Sequence, residues 1–249
     1  MHSFSSAIHK VGLCVAFACG VLVVVGEPLS AQTRLLGLDV SYWQGPIQQS
    51  HWNTAHTTGN RDFVFIRSSR GGTTGVDQPQ GTPGGGSQST LSRRYDDPRF
   101  IQNITRATQA GMLAGAYHFS RPDIVTNTGA DEANHFMQMA GPWMRPGYLL
   151  PVHDLEAGDG VRSDNGIAPF TIDFSDRIYD VLGIRPALYL NGNYANFVIG
   201  GASAALEQEV VDKHPVTWFA RWPAGSGNPY TGNLQTDHPS DSVSWVYGP

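Results

Sequence analysis

Short apolar segments alternate with amphipathic segments along most of this chain, and this alternation restricts the possible fold more than any other feature. The apolar segments are rich in Val, Ile, Leu and aromatic residues, which is typical of strands buried on both faces. The amphipathic segments have the helical spacing of apolar residues. Strands that alternate with helices form parallel βαβ units. The predicted strands are 35–41, 63–67, 113–119, one within 148–158, 187–191, 216–222 and 243–247. The predicted helices are 98–110, 130–140, 170–182 and 204–213.

The number of predicted strands favours a closed barrel over an open sheet. We therefore predict an α/β protein with an irregular, TIM-barrel-like β/α barrel of parallel strands across 32–249. Functional sites in such barrels lie at the carboxyl ends of the strands. The segment 71–92 is rich in Gly, Thr, Pro, Gln and Ser, and we expect it to be a surface loop.

The first 31 residues differ in composition from the rest. His9 and Lys10 precede an apolar run, which ends before a small-residue site at Ala31. This pattern predicts a secretory signal peptide across 1–31, and a retained N-terminal anchor is the alternative. Both cysteines, Cys14 and Cys19, lie inside this segment, so the mature chain has no disulfide. We expect a protein that is secreted or held in the cell envelope, with no membrane span after processing.

The charge of the chain argues against one class of partner. The formal net charge is −5, and the sequence has no run of basic residues. Nucleic-acid binding depends on basic patches that neutralise phosphates. We therefore exclude nucleic acid as a partner.

Two acids at the end of the strand within 148–158 give the strongest chemical signal. Asp154 and Glu156 are two residues apart, so on a strand their side chains share one face, and His153 points to the other. Two carboxyl groups held close together can have one proton between them near neutral pH, as glycosidases require. The alternatives for such a pair are two solvated acids or a cation ligand.

Other chemically suitable residues also lie near predicted strand ends. Asp39 ends the first strand and is followed by Tyr42 and Trp43, although an Asp in this place can simply cap a turn. Aromatic residues that suit sugar contacts lie near later strand ends, and these are Tyr117, Tyr189 and Trp218. His118 is more typical of a hydrogen-bonded structural residue.

Five motifs, taken in order, resemble those of glycoside hydrolase family 25. They are 37–45, 115–119, 154–156, 187–189 and 218–222. Members of this family are lysozymes that hydrolyse the β-1,4 bond between N-acetylmuramic acid and N-acetylglucosamine on an irregular β/α barrel. The resemblance implies that peptidoglycan strands are the substrate and that no cofactor or metal takes part. We expect the protein to be a monomer.

The resemblance also implies a role for each site residue. Glu156 corresponds to the general acid, and Asp154 to a partner that orients or activates the N-acetyl group of the substrate. Asp39 corresponds to a third acid on the floor of the groove. Tyr117, Tyr189 and Trp218 correspond to residues that contact the glycan.

The sequence departs from the family in two places. The family commonly has Lys-Ala-Thr-Glu-Gly after its second strand, whereas residues 67–71 read Arg-Ser-Ser-Arg-Gly. Arg70 thus replaces an acid, and we expect it to contact the substrate differently. The family also continues past its last aromatic strand to a further acid, so we expect this chain to lack that last C-terminal segment.

Two rival hypotheses remain open at this point. The first is a barrel that binds glycan without cutting it, which the absent C-terminal acid favours. The second is a metal-dependent polysaccharide deacetylase or hydrolase, with His118, His153 and Asp154 as ligands. Neither His118 nor His153 has a closely spaced partner of the His-x-x-x-His kind, which opposes that ligand set.

Overall fold

A computed structural model describes residues 35–73, 94–158 and 162–220. The predicted signal peptide, the predicted strand 243–247 and most of the predicted loop 71–92 lie outside these residues. The question of a missing C-terminal segment lies outside them as well. Among the described residues, no helix has both the length and the hydropathy needed to cross a membrane.

The described strands form one curled, half-barrel sheet, as the alternation of strands and helices predicts. Six of them are parallel and adjacent in the order β1-β2-β4-β5-β6-β7, and β3 pairs antiparallel with β2. Their bounds are β1 Leu36–Val40, β2 Arg61–Gly71, β3 Arg94–Asp96, β4 Leu113–Phe119, β5 Val152–Asp154, β6 Ala187–Asn191 and β7 Thr217–Ala220.

Helices connect the parallel strands, and the long ones fall where the apolar spacing predicts them. Their bounds are α1 Gln49–Thr57, α2 Phe100–Gln109, α3 Gly129–Ala140, α4 Asp164–Leu182 and α5 Ala204–Lys213. A short π-helix, Tyr194–Ile199, follows β6. The helix α4 ends at Gly183, whose φ of 69° is the left-handed conformation that glycine adopts at helix ends.

The period-two alternation of the strands separates two apolar layers. Val64, Ile66 and Ala116 face the helices and pack in one core with Phe136 and Phe174. The intervening residues face the inside of the half-barrel, where Phe65, Tyr117, Val152 and Ala187 form a second cluster. Side chains that point inward at the strand ends therefore reach one common space.

The structure corrects two local predictions. Helix α2 begins at Phe100, two residues after its predicted start at 98. The carboxylate of Asp97 accepts hydrogen bonds from the backbone N–H of Arg99 just before the helix, from the backbone N–H of Tyr42 and from Nε of Arg67. The predicted loop also starts too early, because Gly71 belongs to β2 and Thr73 hydrogen-bonds Asp131 of α3.

Candidate active site

A cavity of about 200 Å³ lies at the carboxyl ends of the parallel strands. It contains all of the acids and aromatic residues that the sequence analysis selects, and it also contains Arg67. The lining residues in the described part of the chain are Asp39, Ser41, Trp43, Arg67, Tyr117, Phe119, Val152, Asp154, Glu156, Tyr189 and Trp218.

The strand register explains why residues distant in sequence meet here. Asp154 of β5 lies opposite Phe119 of β4 and Tyr189 of β6, and Tyr189 lies opposite Trp218 of β7. Residues that are opposite each other in adjacent strands share a face of the sheet. The rings of Tyr189 and Trp218 accordingly contact edge to face, with centroids 4.9 Å apart.

Asp154 is held rigidly at the end of β5. Its backbone carbonyl accepts a hydrogen bond from the N–H of Ser120, and the N–H of Leu155 donates to Tyr189 O. The side chain is buried, and its Oδ1 has no hydrogen-bond partner among the described residues. Burial raises the pKa of Asp154 well above its usual range, and the charges of Glu156 and Asp39 add to this, whereas Arg67 opposes it.

Glu156 is half-buried just beyond Asp154. Burial raises the pKa of Glu156, the charge of Asp39 raises it further, and a hydrogen bond from Tyr189 lowers it. Burial is thus the largest cause of the raised pKa of Glu156, and Asp39 is the charge that contributes to it.

Asp39 completes the group of acids from the opposite side of the cavity. Its side chain is exposed to the cavity, yet protein atoms crowd the carboxyl group, and this desolvation raises the pKa of Asp39. The hydroxyl of Tyr117 hydrogen-bonds Asp39, and this bond and the charge of Arg67 lower the pKa. The charge of Asp39 raises the pKa of both Asp154 and Glu156, and the charge of Glu156 raises that of Asp154. The three acids are therefore coupled, and their titration belongs to the group.

Trp43 forms an exposed aromatic edge of the cavity. Its side chain is 58% exposed although it lines the site. It lies in a short 3₁₀ turn, Tyr42–Gln44, in which the side chains of Ser41 and Gln44 form a capping box. The N–H of Tyr42 also donates to Asp97, at 2.9 Å. An exposed indole on a fixed turn is suited to stack on a sugar ring.

The structure does not bring Arg70 into this cavity. Its side chain is 7% exposed, and its guanidinium lies over the ring of Tyr95, 4.8 Å from the centroid. The register of β2 against β4 shifts between Arg67 and Ser69, so Arg67 lies opposite Tyr117 and Arg70 lies opposite Phe119. Both arginines are therefore on the inner face, and Arg70 is the one further along β2, where it pairs with β3 outside the cavity lining.

The ligand set of the rival metal site is not assembled. The ring of His153 is fully buried on the helix side of the sheet and stacks on Phe174, with centroids 3.8 Å apart. His118 lies on the same side, between Ser69 Oγ and Glu132 Oε2. Asp154 faces the cavity on the other side. Within the described residues, no group of three His, Cys, Asp or Glu side chains is placed to hold a metal ion.

Comparisons with known proteins agree with this geometry. Residues 84–247, more than half of the chain, match the family described as glycosyl hydrolases family 25. Asp39 and Arg67 lie before that range, so their part in the site rests on their position in the cavity.

Individual relatives include enzymes and a solved structure. Lysozyme M1 of Streptomyces globisporus is 33% identical over 121 residues, which cover 48% of this chain and 32% of that protein. The N,O-diacetylmuramidase of a Chalaropsis species is 26% identical over 200 residues, which cover 77% and 80%. A crystal structure of the bacterial lysozyme from Streptomyces coelicolor has a TM-score of 0.59 and 25% identity, covering 79% of this chain and 78% of that one.

Proposed function

The chain belongs to glycosyl hydrolase family 25, and on that premise we propose that it is a muramidase that hydrolyses the β-1,4 bond between N-acetylmuramic acid and N-acetylglucosamine in peptidoglycan. The observation that carries the proposal is the meeting of Asp39, Asp154 and Glu156 in one cavity. Related chains with lysozyme or muramidase activity support it.

Glu156 is the proposed general acid. Cleavage of a glycosidic bond requires a proton on the leaving oxygen, and the donor must hold that proton at the working pH. Burial and the charge of Asp39 raise the pKa of Glu156, which favours its protonated form. Its position at the edge of the cavity, half-buried, leaves it accessible to a glycan.

Asp154 is proposed to orient the N-acetyl group of the substrate, and Asp39 to stabilise the positive charge that develops on the sugar. Asp154 is the more buried of the two, and its unpartnered Oδ1 is available to a substrate N–H. An N-acetyl group held in this way can act as an internal nucleophile, which saves the entropy of recruiting a second molecule. Asp39, whose carboxyl group Tyr117 orients, supplies negative charge from the opposite side.

The glycan is proposed to lie along the aromatic edge of the cavity. Trp43, Tyr189 and Trp218 offer faces and edges on which sugar rings pack, and Tyr117 lies on the floor between the acids. Arg70 lies outside the cavity lining, over the ring of Tyr95, so we expect no direct contact between Arg70 and the glycan. Every acid of the proposed mechanism comes from one chain, and we propose that the protein acts as a monomer.

We also propose that the protein is exported and acts in the cell envelope or outside the cell. The support is the apolar run before Ala31 and the location of peptidoglycan itself. N-terminal sequencing of the extracytoplasmic protein is expected to begin near Gln32. Recovery of intact protein with Met1 in the membrane would instead indicate a retained anchor.

Release of soluble fragments from purified peptidoglycan tests the function. The wild-type protein is expected to release fragments in the presence of EDTA, because an acid mechanism needs no ion. Asp154→Asn is the matched variant, since it keeps the shape of the side chain and removes its charge. Wild-type protein that binds peptidoglycan and releases nothing would favour the glycan-binding hypothesis.

A further inference from the structure

We propose that Arg67 is a positioning residue that decides how the proton of the site is shared, because its fixed positive charge favours ionised Asp39 and Asp154 over ionised Glu156. This inference rests on the proposed function for its catalytic consequence. Its structural content concerns the cavity alone and can be tested without activity.

Arg67 is the only lysine or arginine among the described residues that line the cavity. It shares this space with three acids, and a group of like charges cannot all ionise without compensation. Arginine suits the task because its guanidinium remains charged at every working pH.

The strand order places Arg67 on one side of the cavity. On β2, Phe65 lies opposite Asp39 of β1, and Arg67 is two residues further along the same strand. Arg67 itself lies opposite Tyr117 of β4, whose hydroxyl hydrogen-bonds Asp39. Arg67 is thus beside the strands that carry Asp39 and Tyr117.

The register places Glu156 further along the sheet than Asp154. Arg67 is in line with Tyr117 and with Val152 of β5, so Asp154 is two residues beyond that line and Glu156 is four residues beyond it, past the end of the strand and beside Tyr189. The charge of Arg67 lowers the pKa of Asp39 and of Asp154, and it is not among the causes that act on Glu156. The cation therefore acts unequally on the three acids.

The guanidinium of Arg67 is fixed by contacts with Asp97 and Tyr95. Its Nε donates to Asp97 Oδ2 at 3.0 Å, and the side chain of Asp97 is completely buried. Asp97 is fixed in turn by the N–H groups of Tyr42 and Arg99, and the ring of Tyr95 lies under the guanidinium at 5.2 Å. Because Asp97 and the ring of Tyr95 fix the guanidinium, its position relative to the acids is constant. Its charge therefore always favours the ionised form of the same acids.

The titratable and charged groups around Arg67 can be named from each packed element. They are Asp39 of β1, Arg70 of β2, Tyr95 of β3, Asp97, Tyr117 of β4, Asp154 of β5, Glu156 and Tyr189 of β6. Tyr117 and Tyr189 have raised pKa values, chiefly through burial, and stay neutral in the working range. The titration that Arg67 controls is therefore that of the acids.

A carboxyl ¹³C NMR titration of the whole protein tests the proposal directly. In Arg67→Gln, the titration midpoints of Asp39 and Asp154 are expected at higher pH than in wild type, with a smaller change for Glu156. Arg67→Lys restores a charge and is expected to return the midpoints toward wild type. Arg67→Met keeps the apolar stem over Tyr95 and serves if the glutamine variant does not fold.

Arg70→Gln is the matched control, since Arg70 is on the same strand and over the same ring but outside the cavity. It is expected to leave the midpoints of Asp39 and Asp154 in place. In the activity profile, kcat of Arg67→Gln is expected to fall about tenfold or more at the acid end, with little change in KM.

Unchanged midpoints for Asp39 and Asp154 in both Arg67→Gln and Arg67→Met would overturn the proposal. That result is independent of catalysis. If the wild-type protein does not cleave peptidoglycan while the midpoints move as expected, the proposed function is wrong and the role of Arg67 in the cavity stands.

Discussion

The hydroxyl of Tyr189 hydrogen-bonds the carboxyl group of Glu156, the proposed general acid. This bond lowers the pKa of Glu156, whereas burial and the charge of Asp39 raise it. The hydrogen bond from Tyr189 therefore limits the rise in the pKa of Glu156. Both side chains line the cavity, where a general acid must meet its substrate.

Tyr189→Phe is predicted to move the alkaline limb of the pH–activity profile to higher pH. The hydroxyl stabilises the ionised form of Glu156, so its removal raises the pKa of Glu156 and preserves the protonated acid further into the alkaline range. A profile of kcat/KM against pH measures this limb in the free enzyme. An alkaline limb that moves to lower pH would contradict the assignment of Glu156 as the acid.

Trp43→Ala is predicted to weaken glycan binding with little effect on the chemical step. The indole lines the cavity but is largely exposed, so its loss is expected to remove stacking and to leave the proton transfer intact. Aromatic contacts are worth about 0.5–1.5 kcal/mol, which corresponds to a rise in KM of roughly two- to tenfold. Steady-state kinetics on soluble glycan fragments separates KM from kcat, and Trp43→Phe is the matched control that keeps a ring.

A fall in kcat that exceeds the change in KM for Trp43→Ala would contradict this account. It would show that the turn that carries Trp43 positions the acids, and that the indole does more than bind sugar.

His153→Leu is predicted to leave cleavage nearly unchanged despite its position beside Asp154. The imidazole lies on the helix side of the sheet, and neither ring nitrogen has a hydrogen-bond partner among the described residues. Burying an unpaired polar group costs about 1–3 kcal/mol, so leucine is expected to keep or raise the melting temperature. Thermal unfolding and activity per folded molecule are the measurements, and a loss of turnover without a loss of stability would contradict the prediction.

His214→Gln is predicted to reduce the decrease in the free energy of unfolding as the pH falls from 6.5 to about 4. Burial lowers the pKa of His214 from 6.5 to about 4, so the folded protein keeps the ring neutral where the unfolded chain protonates it. The stability linked to this group is complete above pH 6.5 and is lost as the pH falls to about 4. Urea unfolding at several pH values measures how the free energy of unfolding changes with pH. His51 is exposed, and His51→Asn is the control expected to keep the wild-type dependence.

Much of the fold follows from the sequence because the buried strands have continuous apolar composition and the long helices have clear apolar spacing. Helix α1 was not predicted because it is made largely of polar residues and buries only Trp52. The short β3 was not predicted either, since three residues with two charges carry no strand signal and its pairing with β2 depends on tertiary contacts.

The acids of the candidate cavity could be selected from the sequence, although their roles stay predictions. The parallel order brings Asp39 and Asp154 to the same end of the sheet. Glu156 lies beyond the end of β5, where the period of two no longer applies, and it lines the same cavity. Arg70 was suggested as the basic residue of the groove because it stands where the family commonly has an acid, whereas the structure places Arg67 in the lining. The contact of Arg70 with Tyr95 depends on the short β3, which has no signal in the sequence.

Glu156→Gln tests the central claim most directly, because glutamine keeps the shape of the side chain and has no proton to give to the leaving oxygen. General acid catalysis contributes about 10²–10⁴-fold, so the rate of peptidoglycan cleavage is expected to fall by that range while glycan binding persists. Mass analysis of the new reducing ends is the measurement, with wild-type protein on the same substrate. The account predicts N-acetylmuramic acid at those ends for the wild type and almost no new ends for Glu156→Gln. Near-normal cleavage by a folded Glu156→Gln protein, or N-acetylglucosamine at the reducing ends, would contradict it.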